Sequence, residues 1–360
     1  MYMKDRISLL ILFGGMSSEH EVSCLSAASV LDHIDRDRYH INIIGITKEG
    51  NWLLTDSPVV NIGDGSWEND GSSRRAFIAP DRAIGGIMAE NADGTFEKID
   101  VDVVFPVLHG KNGEDGTMQG LLQLSGLPFV GPDTAASAAS MDKAITKAMV
   151  EQAGAAEQAE CYVLHKTAYE TDADTYLTEI VTCFDGKFPL FVKPANAGSS
   201  VGISKVGDEA ELPEALEIAF REDSKVVIEE GITGREIEVA VLGNENPKAS
   251  CIGEIFAANE FYDYNAKYEN ASSRTGIVRD LTPEKEKEIR DTAVRVYETM
   301  GCRGLSRVDF FLEEGGRVVF NEINTLPGFT SISMYPKLWE ESGTGYSELI
   351  DELIRLALEK

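Results

Sequence analysis

The sequence predicts an α/β protein that opens with a parallel sheet and continues into further units, on three observations. Its 360 residues exceed one domain of about 150, so two to three domains are expected. Apolar runs of strand length alternate with helix signals in the first 110 residues, the pattern of an open parallel sheet. Gly131-Pro132-Asp133-Thr134 then closes that unit and starts a new helix, with Asp133 as its cap. In chain order, residues 7–13 (ISLLILF) read as a buried strand ended by Gly14-Gly15. Ser18-Glu19-His20-Glu21 has the form of a capping box and predicts a helix to about Ile34. Residues 40–47 (HINIIGIT) and 101–108 (VDVVFPVL) read as further buried strands. Between them, residues 55–98 are rich in Gly, Asp, Asn and Ser and read as a surface insertion.

Beyond Asp133 an Ala-rich helix is expected through Met149, stopped at Gly154. Residues 190–193 and 225–229 are short strands that should share a sheet, the first opening onto Gly198-Ser199-Ser200-Val201-Gly202. Strands follow at 237–242 and 251–256, then a long polar, Tyr-rich loop over 257–279. Thr282 and Pro283 start a helix stopped by Gly301. Residues 307–312 and 317–321 form a hairpin around 313–316, and a last helix starts near Ser347.

Lys and Arg total 33 against 61 Asp and Glu, a net charge of −28 that argues against a broad nucleic-acid or anionic-membrane surface. Any anionic ligand must be met by individually placed cations. Five scattered cysteines, without zinc-type spacing, fit a reduced cytosolic protein. The charged Glu19-His20-Glu21 falls where a signal peptide would need apolar length, and no run of about 18 apolar residues could cross a membrane.

The hairpin carries the clearest chemistry. Asp309 lies on one strand, while Glu322 and Asn324 alternate on the next and so share a face. One strand-end acid alone is an ordinary solvated charge, but three oxygen donors together match what Mg²⁺ takes alongside phosphate oxygens and water. Lys193, just before the glycine-serine loop, could join backbone N–H groups in a phosphate cradle. Neither G-x-x-x-x-G-K-[ST] nor G-x-G-x-x-G is present, so nucleotide binding would be of another kind.

Seven segments in order resemble the D-alanine:D-alanine ligases of the ATP-grasp superfamily. They are GGMSSEHEVS (14–23), VFPVLHGKNGEDG (104–116), MDK (141–143), VKPANAGSSVGISKV (192–206), EFYDYNAKY (260–268), GLSRVDFF (304–311) and NEINTLPGFTSISMYP (321–336). The resemblance implies an N-terminal α/β domain over 1–131, followed by a two-lobed ATP-grasp fold with a central lobe over 132–229 and a C-terminal lobe over 230–360. It implies ATP as co-substrate, two Mg²⁺ ions (or Mn²⁺) held by Asp309, Glu322 and Asn324, and D-alanine as substrate. It further implies a homodimer in the cytoplasm, serving peptidoglycan precursor synthesis.

Residue by residue, the resemblance gives Lys143 and Lys193 to the ATP phosphates and Glu229, Glu230, Ile232 and Glu236 to adenine and ribose; the family often has Lys where Glu230 stands. Glu19 would pair with the first D-alanine's ammonium, and His109 would lie near that substrate. Arg307 and the Gly328 N–H would stabilise an oxyanion. Ser199 and Ser333 would bind the second carboxylate. Tyr268 would bond Ser199, and Lys267 would reach the γ-phosphate as the 257–279 loop closes. Tyr268 also speaks against D-lactate as second substrate, because ester-forming relatives carry His there; D-serine stays open as the alternative. A ligase for another acid and amine would have no reason to keep Glu19, Ser199, Tyr268 and Ser333 together. A non-catalytic nucleotide binder would tolerate loss of Arg307 or of the metal trio.

Overall fold

A computed structural model describes residues 6–71, 73–256 and 274–359. Strands β1 (Ile7–Gly14), β2 (Tyr39–Ile46), β3 (Trp52–Leu54), β4 (Arg74–Ile78), β5 (Gly86–Glu90), β6 (Phe96–Asp100) and β7 (Val103–Val107) form one sheet in the order β6-β5-β4-β3-β2-β1-β7. β2, β1 and β7 run parallel, as the apolar runs predict, and Leu9 to Phe13 are buried on both faces. Helix α1 (His20–His33) follows the Gly14-Gly15 turn.

Two expectations change here. The capping box does not form: Glu19 is the N-cap and makes no side-chain cap, Ser17 Oγ accepts from the Glu19 N–H at 3.0 Å, and Glu21 pairs outward with Lys48. Nor is 55–98 a mere surface insertion. After the short helix α2 (Val59–Gly63), its chain supplies β4, β5 and most of β6 as an antiparallel extension of the sheet. Its Trp67 is fully buried, edge-on to Phe13 at 4.8 Å. A Cβ on Gly45 would lie 2.3 Å from the Trp67 ring, so Gly45→Ala should overpack this contact and lower stability by about 1–3 kcal/mol in urea unfolding.

Helices α3 (Thr117–Ser125), α4 (Thr134–Met141) and α5 (Lys143–Ala153) follow. The predicted single helix is thus two. Asp142 breaks it because its carboxylate caps α5, accepting from the Ala144 and Ile145 N–H groups, while Asp133 caps α4 as expected. Next come β8 (Glu157–Gln158), β9 (Cys161–His165), helices α6 (Lys166–Thr171) and α7 (Ala173–Cys183), β10 (Leu190–Pro194), β11 (Ser204–Val206), helix α8 (Leu212–Glu222) and β12 (Lys225–Glu230). A second, antiparallel sheet runs β11-β10-β12-β9, with the two expected strands adjacent.

The third sheet combines β8 with β13 (Arg235–Gly243), β14 (Lys248–Phe256), β15 (Arg274–Ile277), β16 (Gly304–Leu312) and β17 (Val318–Asn324), in the order β15-β14-β13-β16-β17-β8. Residues 274–277, expected as loop, are a strand paired with β14. Helix α9 (Pro283–Thr299), capped by Thr282, covers one face; α10 (Met334–Glu341) and α11 (Tyr346–Leu358) cover the other. Ala136, Val150 and Ala155 share a core with the third sheet, and β8 pairs with β17. By packing, residues 134–158 therefore belong with the third sheet rather than with the rest of 132–229. A continuous apolar cluster joins β1, β7 and α1 to α10, α11, Ala240 and Leu305, fixing the first unit against the third sheet. The five cysteines are unpaired, and burial pushes the Cys24 thiol up to about 12.

Candidate active site

Two cavities of about 480 and 490 Å³ meet where the three sheets converge, sharing Lys143, Ser199, Arg307 and Glu322 in their walls. The first also holds Glu19, His109, Asn324, Gly328 and Ser333. The second also holds Lys193, Glu229, Glu230, Ile232, Glu236 and Asp309. Most residues expected for the amino acids line the first cavity and most expected for the nucleotide line the second, with Lys143, Ser199 and Arg307 in both walls; of the three residues expected to hold metal, Asn324 lines the first, Asp309 the second and Glu322 both. Tyr268 and Lys267 lie outside the described residues.

In the first chamber, Ser199 Oγ donates to Glu19 Oε1 across 180 residues of sequence. Ser199 and Ser200 adopt φ of 50° and 59°, a left-handed backbone that side-chain-bearing residues rarely take, so the loop is held in a turn that its sequence alone disfavours. Ser333 is the N-cap of α10 and bonds Thr330, placing its hydroxyl at a helix N-terminus, where carboxylates are favoured. Gly328 lies against it: a Cβ there would come within 2.8 Å of Ser333 Oγ. His109 is buried, and both its ring nitrogens are engaged by protein groups, Leu326 O at 2.9 Å and Ser26 Oγ at 3.0 Å. Burial outweighs the nearby Glu19 charge and lowers its pKa.

At the junction, Arg307 Nε and Nη2 reach the two oxygens of Asp309 at 2.8 and 2.7 Å, and Nε lies 3.2 Å from Glu238 Oε1. Asn324 Nδ2 also donates to Asp309, at 3.0 Å. Asp309 and Glu322 are cross-strand partners, as are Arg307 and Asn324, with an irregularity after Asp309. Lys143 Nζ donates to Ala197 O at 2.8 Å and lies 4.0 Å from Glu322. Burial opposes the Arg307 charge, but Asp309, Glu238 and Glu322 together hold its pKa well above the usual value.

In the second chamber the buried Glu229 carboxylate receives Lys193 at 2.6 Å and Lys147 at 3.1 Å. Burial pushes its pKa up, and the two ammonium groups bring it down to about 2. Glu230 bonds outward, its carboxylate accepting from the Glu160 N–H at 3.0 Å and its own N–H donating to Glu160 O.

Three residues escaped the sequence reading. Lys147 stands one turn after Lys143 on α5, a spacing that could have been noticed. Glu238 faces Arg307 from β13, two residues past Glu236. Glu114, inside the segment 104–116, is half-buried; desolvation and then the Glu19 charge push it up to about 8, against the pull of two N–H donors.

Residues 8–132 match the family model described as D-ala D-ala ligase N-terminus, and 149–355 the one described as D-ala D-ala ligase C-terminus. The chain is 49% identical to a D-alanine–D-alanine ligase of Acetivibrio thermocellus, over 99% of this chain and 97% of that one. The chain belongs to the D-Ala–D-Ala ligase family. It is also 48% identical to D-alanine–D-alanine ligase B of Clostridium tetani, over 98% and 94% of the two chains. Among solved structures, family likeness extends to the VanG D-Ala:D-Ser ligase of Enterococcus faecalis, with TM-score 0.87 and 38% identity over 98% of this chain and 99% of that one. The D-alanine-D-alanine ligase of Coxiella burnetii matches with TM-score 0.83 and 35% identity, over 98% and 96%.

Proposed function

We propose that this protein joins two D-alanine molecules into D-alanyl-D-alanine at the expense of ATP, and that the meeting of the two chambers at Arg307 and Glu322 is the observation that carries this reading. The first substrate's ammonium pairs with Glu19. Its carboxylate oxygen attacks the γ-phosphorus, the bond to ADP breaks, and an acyl phosphate forms. The second substrate's amine, as the free base, then attacks the acyl carbon, and the tetrahedral intermediate expels phosphate, which carries away the amine's surplus proton. Arg307 and the Gly328 N–H stabilise the oxyanion, while Ser199, Ser333 and the α10 N-terminus receive the second carboxylate. Lys143 and Lys193 hold phosphates; Glu229, Glu230, Ile232 and Glu236 line the adenine and ribose end. This chemistry calls for positioning and charge neutralisation more than for a covalent nucleophile.

The donor set fits Mg²⁺: two carboxylates and an amide, which offer hard oxygen donors on neighbouring strands, with Lys143 4.0 Å from Glu322. Asp309, Glu322 and Asn324 would hold two such ions, with Mn²⁺ as a substitute, and the metal would neutralise phosphate charge. The reading extends to a homodimer working in the cytoplasm on peptidoglycan precursors. None of the described helices is long and apolar enough to cross a membrane.

The test is phosphate release from ATP and Mg²⁺ with D-alanine, L-alanine, or D-alanine mixed with D-serine or D-lactate, with products identified by mass. D-Alanyl-D-alanine should dominate and be absent with L-alanine. Glu322→Ala should abolish turnover while the fold is retained; near-normal turnover would remove Glu322 from the metal set. The likeness to the D-Ala:D-Ser ligase keeps D-serine as the second reading, and D-alanyl-D-serine as main product would establish it.

A further inference from the structure

The turn from Leu326 to Phe329 carries Gly328, yet the backbone groups that bracket it are held by side chains from distant parts of the chain. The Leu326 N–H donates to Glu114 Oε1 at 3.1 Å, across 212 residues of sequence. Leu326 O accepts from His109 Nδ1 at 2.9 Å. A carbonyl can only accept, so Nδ1 carries the proton and the neutral ring's Nε2 is an acceptor. Nε2 receives the Ser26 hydroxyl at 3.0 Å, and Ser26 Oγ in turn accepts the Phe329 N–H at 3.2 Å. Phe329 O takes the Tyr346 hydroxyl. Pro327, between them, has no N–H to place and a fixed φ. Glu114 also fixes its own side of the contact, its Oε2 accepting from the Gly110 N–H at 2.7 Å.

We infer that Glu114 and Ser26 are positioning residues for the oxyanion donor, clamping from the N-terminal unit the turn that aims the Gly328 N–H. The inference rests on the ligase reading above, in which that N–H meets the tetrahedral intermediate. Its physical basis is that a donor must stand at the oxyanion's position before the charge develops, and displacement by about 1 Å can cost about 100-fold in rate. Ser26 lies on the same helix whose N-cap position Glu19 occupies, so one rigid element sets both the first substrate's ammonium partner and the oxyanion turn.

Glu114→Gln places an amide NH₂ where one of two backbone N–H groups now finds an oxygen. Ser26→Ala removes the acceptor of the Phe329 N–H and the donor to His109, with less disturbance. For each full-length variant, kcat, the KM values, thermal unfolding and the affinity of a phosphinate analogue of the dipeptide should be measured with ATP and Mg²⁺. The expected result is a fall in kcat of about 10- to 100-fold, an equal loss of analogue affinity, and little change in KM for ATP. A folded Ser26→Ala protein with kcat and analogue affinity within twofold of the parent overturns the inference. So does a kcat loss without the matching analogue loss, which marks a merely structural role. If the parent itself binds the analogue no better than its amino-acid substrates, it is the ligase reading of the turn that fails, and this inference with it.

Discussion

Arg307→Lys is expected to lower kcat by about 100- to 1,000-fold, with KM for ATP changing far less. The substitution keeps the charge and so isolates geometry. Arg307 sits midway along β16, its fork closed on both oxygens of Asp309 and its Nε also near Glu238. Burial works against the cation, yet three surrounding carboxylates hold it charged at any working pH. A guanidinium has five N–H groups in a fixed plane, so it can brace against Asp309 and still offer donors to a developing oxyanion. Lysine offers one rotatable ammonium that must choose between these tasks. Steady-state kinetics of phosphate release, with circular dichroism to establish the fold, reads the effect. A variant retaining a tenth of parental kcat would take Arg307 out of the oxyanion role.

How much of this was legible in the sequence depended on how local each signal is. The parallel trio of first-sheet strands could be read because strands buried on both faces must be near-continuous apolar runs, as ISLLILF is. The antiparallel extension could not: β6 reads FEKID and is mostly exposed, and the anchoring of the 55–98 stretch depends on Trp67 meeting Phe13 and Gly45 from afar. Asp142 hid a helix break because an Ala-rich run on either side favours helix, and the cap that decides the matter is formed only once the chain turns. In the site, Asp309, Glu322 and Asn324 stood out because strand alternation is a two-residue rule. Lys147, Glu238 and Glu114 did not, since each has its meaning only through a partner on another element: Glu229, Arg307 and the Leu326 N–H. His109 read from its motif as a substrate neighbour; it lines that chamber, but both ring nitrogens are already engaged by the protein.

Glu229→Gln should be the most destabilising single change in the nucleotide chamber, by about 3–5 kcal/mol at pH 7, because it leaves the buried Lys147 and the half-buried Lys193 without their shared carboxylate. The pKa change points the same way. Folding moves Glu229 from its ordinary 4.5 to about 2, which corresponds to roughly 3 kcal/mol favouring the ionised carboxylate. The sign follows from the direction: a depressed carboxylate pKa contributes stability that is complete above 4.5 and is lost as pH falls toward 2. Urea unfolding of parent and variant should therefore differ most at neutral pH and converge on acidification. Adding Lys147→Met to Glu229→Gln should recover part of the loss, since it removes one of the unpaired charges. ATP affinity should fall as well, because Lys193 loses the partner that holds it 2.6 Å away beside the phosphate loop. A Glu229→Gln protein as stable as its parent but unable to bind ATP would instead assign this carboxylate to the nucleotide directly, and leave the two lysines to be held by something else.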